Sequence, residues 1–186
     1  MHHIERLLRA SDPELVAHGE RTGRLASGIA RTMGLAIEQT HLIEQAGLLH
    51  DAGKIFISRE ILDKPGPLDE AEWEELRHHP MMGYQLVRDI VPDRVAQIVL
   101  THHEWFDGTG YPHAIRGSKV PIEARVLQVA DAFDAITSNR PYQPALPVGY
   151  ALNELIRCSG TQFDPAVVEA TLSLAGQLQW AAEVAV

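Results

Sequence analysis

The chain has 186 residues, with 16 Lys and Arg against 25 Asp and Glu, a formal net charge of -9, one cysteine and ten histidines. A chain of this length buries roughly 70% of its unfolded surface, so one domain over 1–186 can fold without disulfides or a structural metal. The 45% hydrophobic and 22% charged content exclude a disordered polypeptide. The acidic balance argues against nucleic-acid polymers as partners, since their binding needs a broad basic face.

The location of the protein is constrained by what the sequence lacks. No apolar stretch approaches the ~18 residues that span a bilayer. The N-terminus has no apolar core followed by a small-residue cleavage site. The single Cys158 excludes an internal disulfide and suits a reducing compartment. We therefore expect a cytoplasmic protein with no membrane partner.

Helix signals follow one another along the chain, and no segment alternates with period two for long enough to predict a strand. Asp12 before Pro13 is a capping residue in front of a proline at the first helical position. Gly53 and Pro80 indicate helix ends. The fold class is therefore all-α, with C-terminal helices over 148–186. The helices are predicted at about 13–33, 37–50, 70–78, 81–90, 92–102, 121–138, 148–158 and 165–180.

Polar side chains interrupt the apolar stripes of these helices. Glu14 and His18 are four residues apart, so they share one helical face and are expected to point toward the core. His50 and His102 each continue an apolar stripe at helical spacing. Asp131 lies in the apolar segment VLQVADAFDAI, where an ionised carboxylate needs a partner because burying it alone is very costly.

Divalent metal ions are one kind of partner that satisfies all of these groups. Imidazole nitrogens and carboxylate oxygens without thiolates suit Mn, Fe or Zn. The candidates are too many for one ion and enough for two bridged by a carboxylate, or for three. Two metals about 3.5–4 Å apart clamp the attacking and leaving oxygens of an in-line phosphoryl displacement, which favours phosphoester hydrolysis. The candidates are Glu14, His18, His50, Asp51, His79, His102, His103 and Asp131.

The alternative for each candidate is an ordinary structural role. A single histidine on an apolar face is usually a hydrogen-bonded core residue, and an adjacent pair can be helix-end polar groups. The joint occurrence of a His-Asp pair, a His-His pair and a buried aspartate on core-facing stripes favours the metal site. Four histidines are not expected to bind metal: His2, His3, His41 and His113.

The chain contains four motifs: HDAGK from His50, HHPMMG from His78, HHEWFDGTGYP from His102 and ADAFDAITSNRPY from Ala130. Together they resemble the HD-GYP family of bacterial cyclic di-GMP phosphodiesterases, a variant of the HD phosphohydrolase superfamily. The resemblance runs in family order over about 12–147 and implies an HD-domain bundle of about seven to nine helices around a multinuclear metal centre. It implies hydrolysis of cyclic di-GMP to pGpG, with further cleavage to GMP left open.

The resemblance also implies the metal ligands and the metals. Two or three divalent ions are expected, with Fe or Mn as the metal. Asp51 would be the bridging ligand, and Glu14 occupies the position of an extra ligand in members with three metals. The implied ligand set is His18, His50, Asp51, His79, His102, His103 and Asp131.

Substrate contacts are implied in the same way. Lys54 resembles the family lysine that contacts the scissile phosphate, and Arg140 the arginine that meets a phosphate. A structural ion pair with Asp134 is the alternative for Arg140. Gly110 and Tyr111 belong to the GYP loop, which is either a tight turn or a lip of the substrate groove. In the second case it would also contact diguanylate cyclases of the GGDEF type.

Four further expectations concern the substrate, a docking role and two structural features. Gln143 stands where the family usually has Arg or Lys, so another cyclic dinucleotide such as cyclic GMP-AMP is an alternative substrate. A docking module for cyclases without catalysis is a third hypothesis. Arg125 is expected to form a structural ion pair. The C-terminal helix, with Leu172, Leu174 and Trp180, would either pair two subunits or seal its own core.

Overall fold

The computed structural model describes residues 2–139 and 144–184, without the side chains of 2–3 and 178–184. These residues confirm the all-α prediction, and they contain no strand. Two short 3-10 helices cover Ala52–Phe56 and Gly117–Lys119. The α-helices are α1 His2–Ser11, α2 Pro13–Thr32, α3 Ile37–Leu49, α4 Arg59–Leu62, α5 Glu70–Leu76, α6 His79–Val87, α7 Asp93–Thr101, α8 Ile122–Thr137, α9 Val148–Arg157 and α10 Pro165–Val184.

The helix starts follow local chemistry. Asp12 accepts a hydrogen bond from the Leu15 N–H at 3.0 Å, and Pro13 is the first residue of α2, as predicted. Pro80 lies in the first turn of α6, where its missing N–H removes no helical hydrogen bond. The helix therefore begins before Pro80, earlier than predicted. The sequence analysis did not predict α1 or the one-turn α4.

The core forms around α2, which packs against α1, α3, α8 and α10. Leu172 and Leu174 of α10 pack against the core of the same chain, and Leu174 covers Gly28 of α2. This packing favours the core-sealing role of the C-terminal helix, while the Trp180 side chain lies outside the described residues. No helix in the described part of the chain combines the length and apolar character that a membrane crossing requires.

The short helix after α3 is packed tightly against α6. A Cβ atom on Gly53 would lie 2.6 Å from the backbone nitrogen of Gly83 and would overlap the carbonyl of His79. Only glycine allows this approach of the two backbones. Gly53 is therefore more than the predicted stop signal, because it brings the residues that follow α3 next to the start of α6.

Arg125 at the start of α8 forms the expected structural ion pair. Its guanidinium contacts the carboxylate of Asp164 just before α10, and its Nε–H donates to the Val120 carbonyl at 3.0 Å. The two charged side chains are 15% and 7% exposed. The ion pair links α8 to the residue that precedes α10.

Replacing Arg125 with alanine is expected to lower the free energy of unfolding by about 3–5 kcal/mol, because it leaves the buried Asp164 carboxylate without its partner. Urea unfolding followed by circular dichroism measures this loss. The control is Arg157→Ala, which breaks a pair with Glu154 that is largely exposed on the arginine side and should leave the unfolding midpoint nearly unchanged. Equal effects of the two substitutions would contradict the structural role of Arg125.

Candidate metal centre

Helix ends supply most of the predicted ligands. His50 and Asp51 directly follow α3, His79 begins α6, and His102 and His103 directly follow α7. Carbonyls in the last turn of a helix have no partner within that helix. Three of the histidines donate their Nδ1–H to such a carbonyl at 2.7 Å, which leaves Nε2 as the remaining ring nitrogen able to bind a metal: His50 to Gly47, His79 to Leu76 and His102 to Val99.

The donor atoms form two groups, and within each group all atoms lie within 4.8 Å of one another. Asp51 belongs to both groups, which is the position that a bridging ligand requires. We call the first group the His18 cluster and the second the His102 cluster. The His18 cluster consists of His18, His50 and Asp51, and the His102 cluster of Asp51, His79, His102 and His103.

Asp131 of α8 adjoins the His18 cluster. Its Oδ1 lies 3.0 Å from His18 Nε2 and 3.7 Å from His50 Nε2. The segment around Asp131 is buried, as the sequence indicates, and the carboxylate itself is 20% exposed. The structure thus brings together seven of the eight predicted ligands.

The residues present fit metal ions. His50 Nε2 and Asp51 Oδ1 are buried, and no described residue forms a hydrogen bond with them. Such orphaned polar atoms are rare and costly in folded proteins. Divalent cations at the two clusters would satisfy these atoms, His50 Nε2 in the His18 cluster and Asp51 Oδ1 beside His79. A thiolate-free set of imidazoles and carboxylates suits Mn, Fe or Zn. The clusters are therefore able to hold metal ions.

Glu14 is the predicted ligand that does not lie with the other seven in the structure. Its side chain is 69% exposed and lies 3.3 Å from the guanidinium of Arg21. The prediction that Glu14 points toward the core is wrong, because its side chain lies beside Arg21 on the cavity wall and is largely exposed. Glu14 lines the cavity beside His18 without joining either cluster.

Lys54 lies directly against the shared ligand. Its Nζ is 2.6 Å from Asp51 Oδ2, and its side chain is 25% exposed, so it is no ordinary surface lysine. Both residues line a cavity of about 560 Å³, a size typical of small-molecule sites. The cavity wall carries four cationic side chains beside four carboxylates: Arg21, Lys54, Arg59 and Lys64 with Asp12, Glu14, Asp51 and Asp63.

The GYP loop packs against the ligands. The ring of Tyr111 is stacked on His103, with ring centroids 4.8 Å apart and an interplanar angle of 26°. A Cβ on Gly110 would lie 2.8 Å from the carbonyl carbon of Glu104, so this position requires glycine for close packing. This close packing agrees with a geometric role for Gly110. Arg140 lies outside the described residues.

Two supporting acids were missed in the sequence analysis. Glu104 is buried, and its carboxylate accepts the N–H groups of His113 at 2.6 Å and Ile115 at 3.0 Å. It thereby anchors the GYP loop. Asp134, considered only as a partner for Arg140, accepts the Nδ1–H of His18 at 2.7 Å. The position of Asp134 three residues after Asp131 was the one available signal, since residues at this spacing share a helical face.

Electrostatics differ between the two clusters. Burial is the largest single influence on His50 and lowers its pKa, but the charges and hydrogen bonds of Asp51 and Asp131 together outweigh burial and raise that pKa to about 10. In the His102 cluster, burial and then the charge of His79 lower the pKa of His103 to about 3. Burial and the neighbouring His103 also hold the pKa of His102 well below its usual range. At neutral pH His50 is protonated, whereas His102 and His103 are neutral.

Metal binding is therefore expected to depend on pH in one cluster more than in the other. A metal ligand must be a neutral imidazole, so an ion at the His18 cluster displaces the His50 proton below its pKa of about 10. Its apparent affinity should rise about tenfold per pH unit from about pH 6.5 to about pH 8.5. The His102 cluster should change much less. Calorimetric Mn²⁺ titrations across this range would contradict the assignment if both binding steps shifted equally.

The fold and the site define a helical protein whose buried histidines and aspartates are arranged to hold divalent cations. A model of a family described as HD domain matches residues 2–167. The chain belongs to the HD domain family, and the HD-GYP resemblance inferred from the motifs is confirmed.

Two proteins of similar sequence are named as phosphodiesterases. The cyclic di-GMP phosphodiesterase response regulator RpfG of Xanthomonas campestris is 41% identical over 95% of this chain and 48% of its own length. The 3'3'-cGAMP-specific phosphodiesterase 3 of Vibrio cholerae is 36% identical over 86% of this chain and 35% of its own. A solved HDG"Y"P protein from Bdellovibrio bacteriovorus has a TM-score of 0.70 at 24% identity, over 87% of this chain and 52% of that one, which shows the same fold. The chain spans less than half the length of the two named relatives.

Proposed function

We propose that this chain is a metal-dependent phosphodiesterase that hydrolyses cyclic di-GMP to pGpG. The observation that carries the proposal is the Asp51 carboxylate shared by two groups of ligands on the wall of a cavity. Two ions held by these residues would polarise a phosphoryl oxygen and provide a nucleophile at neutral pH. The proposed cofactor is two or three ions of Fe or Mn.

The residues of this chain have separate proposed roles. Metal ions held by the two clusters would orient the scissile phosphate. The Lys54 ammonium beside Asp51 would stabilise the negative charge that develops on this phosphate in the transition state. Arg140 is proposed to contact a phosphate of the substrate. Gly110 and Tyr111 form the lip of the groove on the side of the His102 cluster.

A second substrate, 3'3'-cyclic GMP-AMP, is favoured by one specific observation. Gln143 lacks the cation that the family usually has at this position, and a relative that is 36% identical is named for cGAMP. The same metal centre would serve either substrate, so the choice rests on groups that contact the bases and the second phosphate.

Parallel hydrolysis assays test the proposal. Protein purified without oxygen and loaded with Fe²⁺ or Mn²⁺ is given cyclic di-GMP and 3'3'-cyclic GMP-AMP separately, and products are resolved by chromatography. We expect turnover of cyclic di-GMP to pGpG, with GMP appearing later if the second bond is cut. Turnover of cyclic GMP-AMP alone would overturn the substrate, and no turnover of either by metal-loaded protein would overturn the enzyme. Elemental analysis of the same sample gives the metal and its number.

Docking to GGDEF-type cyclases through the GYP loop is proposed as a further interaction. The assembled ligands support catalysis over docking alone, because a module kept only for docking has no physical need of them. Pull-down of a purified cyclase by the wild-type chain tests the interaction. Loss of binding in a variant with a changed exposed loop residue, Thr109→Lys, would place it on this loop.

A further inference from the structure

His18 differs from the other ligands in how its ring is held. The imidazoles of His50, His79 and His102 each donate to a carbonyl three residues earlier, which is possible because those carbonyls lie at helix ends. His18 lies inside α2, Pro13–Thr32, where the carbonyls already accept helical N–H groups. The His18 ring therefore needs a partner from another element.

Asp134 of α8 is that partner. Its Oδ2 lies 2.7 Å from His18 Nδ1, whereas the hydroxyl of Thr22 is 3.4 Å from the same nitrogen. A carboxylate that accepts the Nδ1–H leaves Nε2, which lies 3.0 Å from Asp131 Oδ1, as the atom that a metal ion in the His18 cluster would bind. Such an interaction fixes both the tautomer and the orientation of a ligating imidazole.

Arg21 holds Asp134 in turn. Its Nε–H donates to Asp134 Oδ1 at 2.9 Å and its NH2 group to Oδ2 at 3.1 Å, a two-point contact that sets the plane of the carboxylate. Arg21 lies three residues after His18 on α2, so both reach the same side of α8. The hydroxyl of Ser138 adds a third contact to Oδ1 at 3.1 Å. Asp134 is thus constrained on both oxygens.

We propose that Asp134 and Arg21 are positioning residues that hold His18 ready to ligate metal, and that they set the affinity of the His18 cluster separately from the His102 cluster. This inference rests on the metal centre of the proposed function. It follows from contacts between side chains on two helices, and neither residue is itself a candidate ligand.

Calorimetric titration with Mn²⁺ alone tests this pair without an activity assay. The wild-type chain should bind Mn²⁺ in two resolvable steps, and His102→Ala should identify the step that belongs to the His102 cluster. Asp134→Ala should weaken the other step by about 10–100-fold and leave the His102 step within about threefold. Asp134→Asn keeps an oxygen acceptor and should weaken Mn²⁺ binding at the His18 cluster less than Asp134→Ala does. Arg21→Lys keeps the charge and should weaken the same step less than Arg21→Met does.

A matched control lies on the same helix. Glu123 is as buried as Asp134 and also pairs with an arginine, accepting from Arg94 NH2 at 2.6 Å. Glu123→Ala should lower the thermal midpoint while leaving both Mn²⁺ steps unchanged, which separates lost stability from lost positioning. Asp134→Asn and Arg21→Met serve if Asp134→Ala does not fold.

The outcomes separate this inference from the function it rests on. Unchanged Mn²⁺ binding by the Asp134 variants, or equal weakening of both steps, would overturn the positioning role while the metal centre stands. A wild-type chain that binds no Mn²⁺ would overturn the metal centre and the positioning role together.

Discussion

Replacing Asp51 with alanine is expected to abolish metal binding and hydrolysis together. Asp51 is the one residue that belongs to both clusters, so its loss removes a ligand from each ion and the bridge between them. Loss of a residue that only supports a ligand costs about 10–100-fold in metal affinity or activity. The loss of a shared ligand should exceed this range for both ions.

The helical fold should survive this substitution. The hydrophobic core around α2, α3 and α8 consists of apolar side chains outside the two clusters, and His50 can become neutral once the neighbouring negative charge is gone. Metal content by elemental analysis, helicity by circular dichroism and turnover of cyclic di-GMP measure the three effects. Asp63→Ala is the control, because Asp63 lines the same cavity but belongs to neither cluster. Normal metal content and turnover in Asp51→Ala would contradict the bridging role.

Replacing Lys54 with alanine is expected to lower turnover by about 10²-fold or more with metal content unchanged. The Lys54 ammonium is a preorganised positive charge beside the cluster, and removing one such group from the transition state typically costs about this factor. Lys54 is not a ligand candidate, so the clusters keep all their donor atoms. The effect should appear in kcat more than in metal affinity.

Steady-state kinetics and elemental analysis on one preparation measure this separation. Lys64→Ala is the matched control, because Lys64 lines the same cavity but is held by Glu72 at 2.5 Å. It should change turnover much less. A Lys54 variant that loses metal in proportion to activity would show that Lys54 supports Asp51 instead of meeting substrate.

The ligand types and their local placement were readable from the sequence. His50 and His102 continue apolar stripes, and both are fully buried in the structure. Helical periodicity depends on neighbours only a few positions away, so it places such residues on the inner face. It failed for Glu14, because periodicity gives the side of a helix and not the length over which that side is packed.

Supporting contacts were much harder to predict. The Arg125 pair was expected, yet its partner Asp164 was not named, and Glu104 was missed because its partners are backbone N–H groups of the GYP loop. Backbone groups carry no residue-specific signal. Their positions depend on how the loop turns, which nearby sequence does not determine.

The sequence by itself determined the helical class, the HD-GYP motifs and the residues able to bind metal, because these follow from local periodicity and residue chemistry. Only the tertiary structure decided that Asp51 is shared by two clusters and that Glu14 stands apart. It alone joined His18 to Asp134, 116 positions later in the chain. Contacts at such separation depend on the packing of α2 against α8, and that packing is a property of the whole core.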